Sequence, residues 1–451
     1  MNASYGIIVE GVSKIGKKIC ARGKPLQIPE ESITDSIMIG LRHLLLGIAC
    51  CIATAASEQG FEVGVALRDV TPSPLLPVSG GIGPSHPAKE SRGALSVRAM
   101  AIGLGRTKVV FVSSDFLGFP SVLGNRVREK VDWIPGDHIL IGATHTHSAP
   151  DCYGFPDGAG GHGGDAAYWD FVCSQMAAAI RSAITSMQPA TIRIQTGEAT
   201  GKIAYNYYAE QLYDPRCSVI QAVNGQREVI ATLVNYAVHP EVLGSNVGIC
   251  SPDLVWPLTE RIEEKVGGVA LFMNGAQGGM VTADNRQPGA EDMRTWEECL
   301  RIGQRLADEA LRIIDTAEQP TEAHLKVHAR QVAFPVDSEE MRAVLEASPL
   351  EFRVDSRNRI KTTLNLVELG SSQILTIPGE ALPNIGYYLK RSMSGEHNML
   401  FGLTNDAFGY MMTRVDWGSF KRYAYITRVS LGEQTGEILM AESLKMLDRV
   451  H

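Results

Sequence analysis

Five adjacent residues carry the densest chemistry in this chain: Thr144-His145-Thr146-His147-Ser148. They follow directly on the apolar run Ile139-Leu140-Ile141. On an extended chain, side chains two apart share a face. The spacing therefore predicts that His145 and His147 project together from a strand end. Two imidazoles on one face suit a divalent metal, because imidazole is its commonest nitrogen ligand. The alternative is that one of them is a hydrogen-bonded core residue. A second apolar run ends in histidine at Asn235-Tyr236-Ala237-Val238-His239-Pro240, where the proline stops the strand. Alone, His239 reads more simply as structural. Asp253, in Ser251-Pro252-Asp253, is a nearby carboxylate suited to orienting an imidazole. Glu380 closes Ile377-Pro378-Gly379-Glu380, just past a third apolar run and before a helix-type segment. A helix macrodipole alone would favour a carboxylate there. Tyr410 ends Asn405-Asp406-Ala407-Phe408-Gly409-Tyr410, and alone reads as half-buried packing.

These residues need a scaffold, and the patterning predicts one. Strand-type runs cover residues 109–112, 138–141, 229–238, 269–273, 325–336, 362–369 and 373–377. Helical spacing covers 168–187, 293–314 and 382–393, the last with Pro383 in its first turn. Mixed order without a strict βαβ rhythm predicts an α/β fold, with a mixed-sheet α+β fold as the alternative. A single catalytic domain is expected over residues 57–451, with its metal site at strand ends, where ligands gather in α/β proteins. The loop at 156–165 holds five glycines and reads either as a segment passing close to the site, as a lid, or as plain surface. His162 within it is a further candidate to reach the site.

Composition removes several classes. The 451 residues are 44% hydrophobic and 20% charged, which excludes a mainly disordered or coiled-coil chain. The net charge of -8 argues against broad nucleic-acid binding, which needs a basic face. No G-x-S-x-G or H-E-x-x-H occurs, so neither a serine hydrolase elbow nor a zincin is present. Residues 44–56 are apolar, follow Arg42 and His43, and end in Ala53-Thr54-Ala55. That is the pattern of a secretory signal peptide, and the run is short for a membrane span. A short buried helix is the alternative reading, and Met38 is an alternative start. Residues 1–56 are thus expected to be a leader and the rest exported, periplasmic or secreted. Five cysteines would remain: Cys152, Cys173, Cys217, Cys250 and Cys299. An odd number leaves at least one thiol unpaired.

Taken in order, THTHS, NYAVHP, SPD, NGAQGG (274–279), IPGE and NDAFGY resemble the neutral/alkaline (non-lysosomal) ceramidase family. The early run Val65 to Pro72 (VALRDVTP) and Arg98-Ala99 fit as well. The resemblance covers roughly residues 62 to 425 and implies an exported zinc amidohydrolase that splits N-acyl-sphingosine into a fatty acid and sphingosine. Carried over, the zinc ligands are His145, His239, Glu380 and Tyr410. Two neutral nitrogens and a carboxylate leave room for a water, which zinc acidifies so that hydroxide attacks the amide carbonyl. His147 would carry the proton to the leaving amine, and Tyr423 would donate to the developing oxyanion. A small-molecule or lipid N-acyl partner and transient contact with a membrane surface follow from the same resemblance.

The chain departs from the family in two places. Where the family has G-D-[VI]-S-P-N, this chain runs Gly278-Gly279-Met280-Val281-Thr282-Ala283-Asp284-Asn285. Thr282 is the nearest hydroxyl. The family's N-R-[RS] segment is replaced by Ala204-Tyr205-Asn206-Tyr207, without the arginine. These gaps keep two alternatives open: a zinc hydrolase of the same fold acting on another amide or ester, and a binding protein without turnover.

Overall fold

The computed structural model describes residues 60–449. The expected leader, residues 1–56, lies outside the described residues. Among the described residues no helix is long and apolar enough to cross a membrane.

The centre is an eight-stranded mixed sheet. Its order is Val269–Asn274, Val229–Tyr236, Arg216–Asn224, Gln188–Glu198, Phe61–Asp69, Ser96–Leu104, Thr107–Ser114, Ile139–Ala143. Only the two outermost pairings are parallel. A second sheet of four strands, Leu325–Pro335, Arg359–Leu369, Ser372–Thr376 and His397–Phe401, packs on one face of the first. The contact is a shared apolar layer that includes Leu140, Leu271, Ile374 and Met399. Phe111 and Phe401 meet there edge to face, with ring centres 5.4 Å apart. Helices Ala166–Thr185, Val255–Val266 and Trp296–Ile314 cover the other face of the large sheet. Pro383–Ser392 and Thr435–Leu447 cover the outer face of the small one. The result is a four-layer mixed α/β architecture of helix, sheet, sheet and helix.

Local chemistry sets the element ends. The Asp165 carboxylate accepts the Tyr168 N–H at 2.8 Å and starts its helix. Thr295 caps Trp296–Ile314 in the same way, so that helix begins three residues later than the spacing alone predicts. Ile139–Ala143 and Ser372–Thr376 are buried at every position. Strands covered on both faces read as continuous apolar runs, and both were readable for that reason. Gln188–Glu198 is half-exposed and polar, so no run announces it. All five cysteines from Cys152 onward are free and buried.

Candidate metal centre

The carboxyl ends of four strands, Ile139–Ala143, Val229–Tyr236, Val269–Asn274 and His397–Phe401, meet at one point. The Asn274 side-chain amide donates to the carbonyls of Thr144 (3.0 Å) and Val238 (2.7 Å), joining the two outer edges of the large sheet. The Asn235 amide donates to Leu400 O at 2.8 Å, tying in the small sheet. Backbone bonds complete the knot: Gly402 N–H to Asn274 O (2.9 Å) and Asn405 N–H to Ile141 O (2.7 Å).

Strand alternation is not what brings His145 and His147 together. The strand stops at Ala143, and His145 has φ 73°, in the left-handed region. Such a conformation costs ~1–3 kcal/mol and persists only where its surroundings fix it. Here the N–H groups of Thr144, His145 and His147 donate to Ser114 O, Phe116 O and Pro240 O. The turn sets the His145 and His147 rings 4.8 Å apart at 85°. His239 arrives from the other sheet edge, 4.7 Å from His145 and 5.7 Å from His147. One ligand atom from each of the three lies within 4.8 Å of the others.

Two of the imidazoles are oriented by backbone carbonyls. His145 Nδ1 lies 2.6 Å from Leu117 O, and His239 Nδ1 lies 2.8 Å from Val281 O. A carbonyl only accepts, so each Nδ1 carries the proton and each Nε2 keeps its lone pair. Both Nε2 atoms face the same Glu380 oxygen, at 3.5 Å and 3.1 Å. Lone pairs facing a carboxylate repel unless a cation sits at the junction. In addition, His147 Nε2 is buried without a hydrogen-bond partner. The two convergent Nε2 lone pairs and the carboxylate fit a divalent ion of the zinc type, with the orphaned His147 nitrogen left beside it.

Burial pushes His147 down to about 3, with His145 and His239 lowering it further against Glu241, so it is neutral at pH 7. Burial also works against a charged His239, but with no cation at the junction Glu380 outweighs it and raises its pKa, so a metal bound there would displace a proton from His239 Nε2. Burial alone would raise Glu380; the adjacent His145 and His239 reverse this and hold its carboxylate well below the usual range.

Tyr410 pairs in register with Glu380 across a short parallel ladder, so both side chains enter the site side by side. Its hydroxyl donates to Met280 Sδ at 3.1 Å. Burial, reinforced by Glu380, pushes it well above the usual phenol range. Thr282 donates its hydroxyl to Glu241 Oε1 at 2.6 Å. Glu241 Oε2 in turn lies 3.6 Å from His147 Nδ1. Sequence reading passed over Glu241; its position two residues after His239 was the available signal. Asp253 does not orient an imidazole: its carboxylate accepts the N–H groups of Leu243 (2.8 Å) and Leu254 (2.7 Å) and so fixes a turn. His162 stacks on Trp169 at 6.2 Å and is not on the cavity wall.

Tyr423 also stands apart. It packs against Tyr208 (5.0 Å) and Phe420 (5.2 Å), half-buried on a 3-10 turn. Tyr425, with Tyr153 and Tyr410, lines the cavity beside His145, His147 and Glu380, its ring 6.1 Å from that of Tyr410. Tyr423→Phe is expected to leave turnover within about twofold, whereas Tyr425→Phe lowers it ~10-fold or more if its phenol donates to the reacting oxygen. Steady-state kinetics of the two variants, side by side, check this.

No family model matches the chain, and no curated protein matches it in sequence. Among solved structures, the neutral ceramidase from Pseudomonas aeruginosa matches with a TM-score of 0.71 and 16% identity. The match covers 87% of this chain and 75% of that one. A ceramidase complexed with C2 matches with a TM-score of 0.69, at the same identity and coverage. The chain therefore has the fold seen in neutral ceramidase structures, reached here at low sequence identity.

Proposed function

We propose that this chain is an exported, zinc-dependent amidohydrolase that cleaves an N-acyl amide, the class of bond found in ceramide. The observation that carries this reading is the convergence of His145 Nε2 and His239 Nε2 on Glu380 Oε2, beside an orphaned His147 nitrogen and an apolar cavity. Likeness to the ceramidase fold supports the bond type, and the leader pattern of residues 44–56 supports export.

His145, His239 and Glu380 would hold the zinc, with Tyr410 beside them. When bound, zinc supplies Lewis acidity and a water acidified to near pKa ~7. His147, neutral and facing the same cavity, accepts a proton and returns it to the leaving nitrogen. Glu241 lies by its Nδ1 and stabilises the imidazolium that forms, as a carboxylate does in a triad. Thr282 is a positioning residue: its proton goes to Glu241, which fixes that carboxylate. The departure from the family's serine is thus compatible with turnover, because no step needs a hydroxyl nucleophile.

Release of the amine from a panel of N-acyl amides tests the proposal. Exhaustive chelation is expected to abolish release, and added zinc to restore it. Full activity after chelation, with zinc shown to be gone, contradicts the metal-dependent reading.

A further inference from the structure

We propose that the face around the mouth of the cavity is a docking surface for an anionic lipid bilayer, which holds the mouth against the lipid. The docking does not depend on which bond the site cleaves, and its test reads binding rather than turnover.

The cavity opens between Ile82 and Tyr425, which are 37% and 40% exposed. A Cβ on Gly81 would stand 3.5 Å from the Tyr425 hydroxyl, so the two segments meet at the rim. From Tyr425 the chain leads back through the short helix Ala424–Arg428 to the 3-10 turn Lys421–Tyr423. There a row of rings spreads away from the mouth. Tyr423 meets Tyr208 with ring centres 5.0 Å apart, and Tyr208 meets Tyr207 at 5.3 Å. Phe420 meets Tyr423 at 5.2 Å. The two ends of the row are the most open, with Phe420 55% and Tyr207 57% exposed. Single exposed apolar side chains are ordinary on a protein surface, whereas a contiguous patch marks a binding face.

Cations are interleaved with these rings. Residues 410–430 hold four, Arg414, Lys421, Arg422 and Arg428, against the one carboxylate of Asp416, in a chain whose net charge is -8. Within that stretch the sole ion pair among the described residues joins Arg414 to Glu433, at 3.7 Å. Arg422 is fixed in place. It donates to the carbonyls of Tyr207 and Tyr208, at 3.0 and 3.2 Å, and its guanidinium lies over both rings. Arg428 lies over the Tyr425 ring at 6.0 Å. Asp416 is turned to Thr413 Oγ1 (2.7 Å) and Asn384 Nδ2 (3.1 Å), so it does not neutralise the cations.

This pairing of chemistry matches a membrane interface. Tyrosine rings settle at headgroup depth, and Lys and Arg beside them are drawn to anionic lipid. A second copy of this chain is a poorer occupant. A twofold contact sets the patch against itself, cation on cation. It would also cover the opening that a bilayer supplies.

The test is binding of the purified full chain to vesicles, read by co-sedimentation. The vesicles are phosphatidylcholine alone, or phosphatidylcholine with about 30 mol% phosphatidylglycerol to give a negative surface potential. Wild type is compared with Phe420→Ser/Tyr207→Ser and with Lys421→Glu/Arg428→Glu. Trp133→Ser, an exposed ring outside this row, is the control. All of them carry the same residues 1–56, so binding through that apolar run is common to the set and the differences report the patch. Wild type is expected to bind the anionic vesicles ~10-fold or more tightly than the neutral ones, a preference that fades as salt is added. The cation variant should lose that preference, at ~5-fold per charge near the surface. The ring variant should bind both kinds of vesicle ~10-fold more weakly. Either variant carries the test if the other fails to fold. A wild type that ignores anionic vesicles, or one that both variants match in binding, overturns the proposal. So does a patch that instead drives a dimer in solution, dispersed by Phe420→Ser/Tyr207→Ser. The amidohydrolase reading stands or falls separately, on amine release.

Discussion

His239→Ala is expected to lose bound zinc and, with it, ~10³-fold or more in kcat/KM, the scale on which a lost electrostatic element removes rate. The reasoning is geometric. His239 is fully buried, its Nδ1 is committed to Val281 O, and its Nε2 faces Glu380 at 3.1 Å. Alanine removes a ligand and the Nδ1–H donor to Val281 O, which keeps the backbone N–H of residue 239, and leaves the buried Glu380 carboxylate with one imidazole instead of two. An unsatisfied buried polar group costs ~1–3 kcal/mol, so a lower melting temperature should accompany the loss of metal. His145→Ala should behave alike, since its Nδ1 is bound to Leu117 O and its Nε2 faces the same carboxylate. His162→Ala is the control. That ring stacks on Trp169, off the cavity, and the variant should keep metal and activity. Metal analysis, thermal melting and kinetics on the three variants check the set.

Gly278→Ala should disable the site without touching a ligand. A Cβ at position 278 would stand 2.2 Å from Glu380 O and 2.7 Å from Ala381 C. Both are backbone atoms, so a side chain cannot swing aside to make room. The Gly278 N–H also donates to Ala381 O at 2.9 Å, which pins the two segments at contact distance. The strand Glu380–Ala381 must therefore shift, and Glu380 shifts with it. Misplaced support of a ligand lowers metal affinity ~10–100-fold. Zinc titration of Gly278→Ala against wild type should show that loss. Gly225→Ala, where a Cβ meets nothing within 4 Å, should stay within ~0.5 kcal/mol of wild type.

Much of this site was legible in the sequence, for physical reasons. His145, His239 and Glu380 each stand just beyond an apolar run, and buried strands write such runs plainly. Their convergence was less legible. Asn235, Asn274 and Asn405 each open one of the motifs, but nothing in their local pattern shows that they tie four strand ends together. The pairing of His145 with His147 was anticipated, but from extended alternation; the left-handed turn at His145 produces it instead. Glu241 was missed because a carboxylate after proline looks like surface until Thr282 and His147 are placed against it. Tyr423 was named from the family resemblance and Tyr425 was passed over; Tyr423 ends a 3-10 turn while Tyr425 lies two residues on in a short helix and lines the cavity, an offset that spacing alone does not resolve. In the fold, apolar strands were read and the half-exposed Gln188–Glu198 was not.

The central claim is that His145, His239 and Glu380 form one metal site. Elemental analysis of zinc-incubated, desalted protein tests it most directly. The account predicts about one zinc per wild-type chain, and less than about one-tenth in His145→Ala, His239→Ala and Glu380→Ala, as expected when a structural or catalytic zinc loses a ligand. A folded wild-type chain that retains no metal, or a His239→Ala variant that retains as much as wild type, would contradict it.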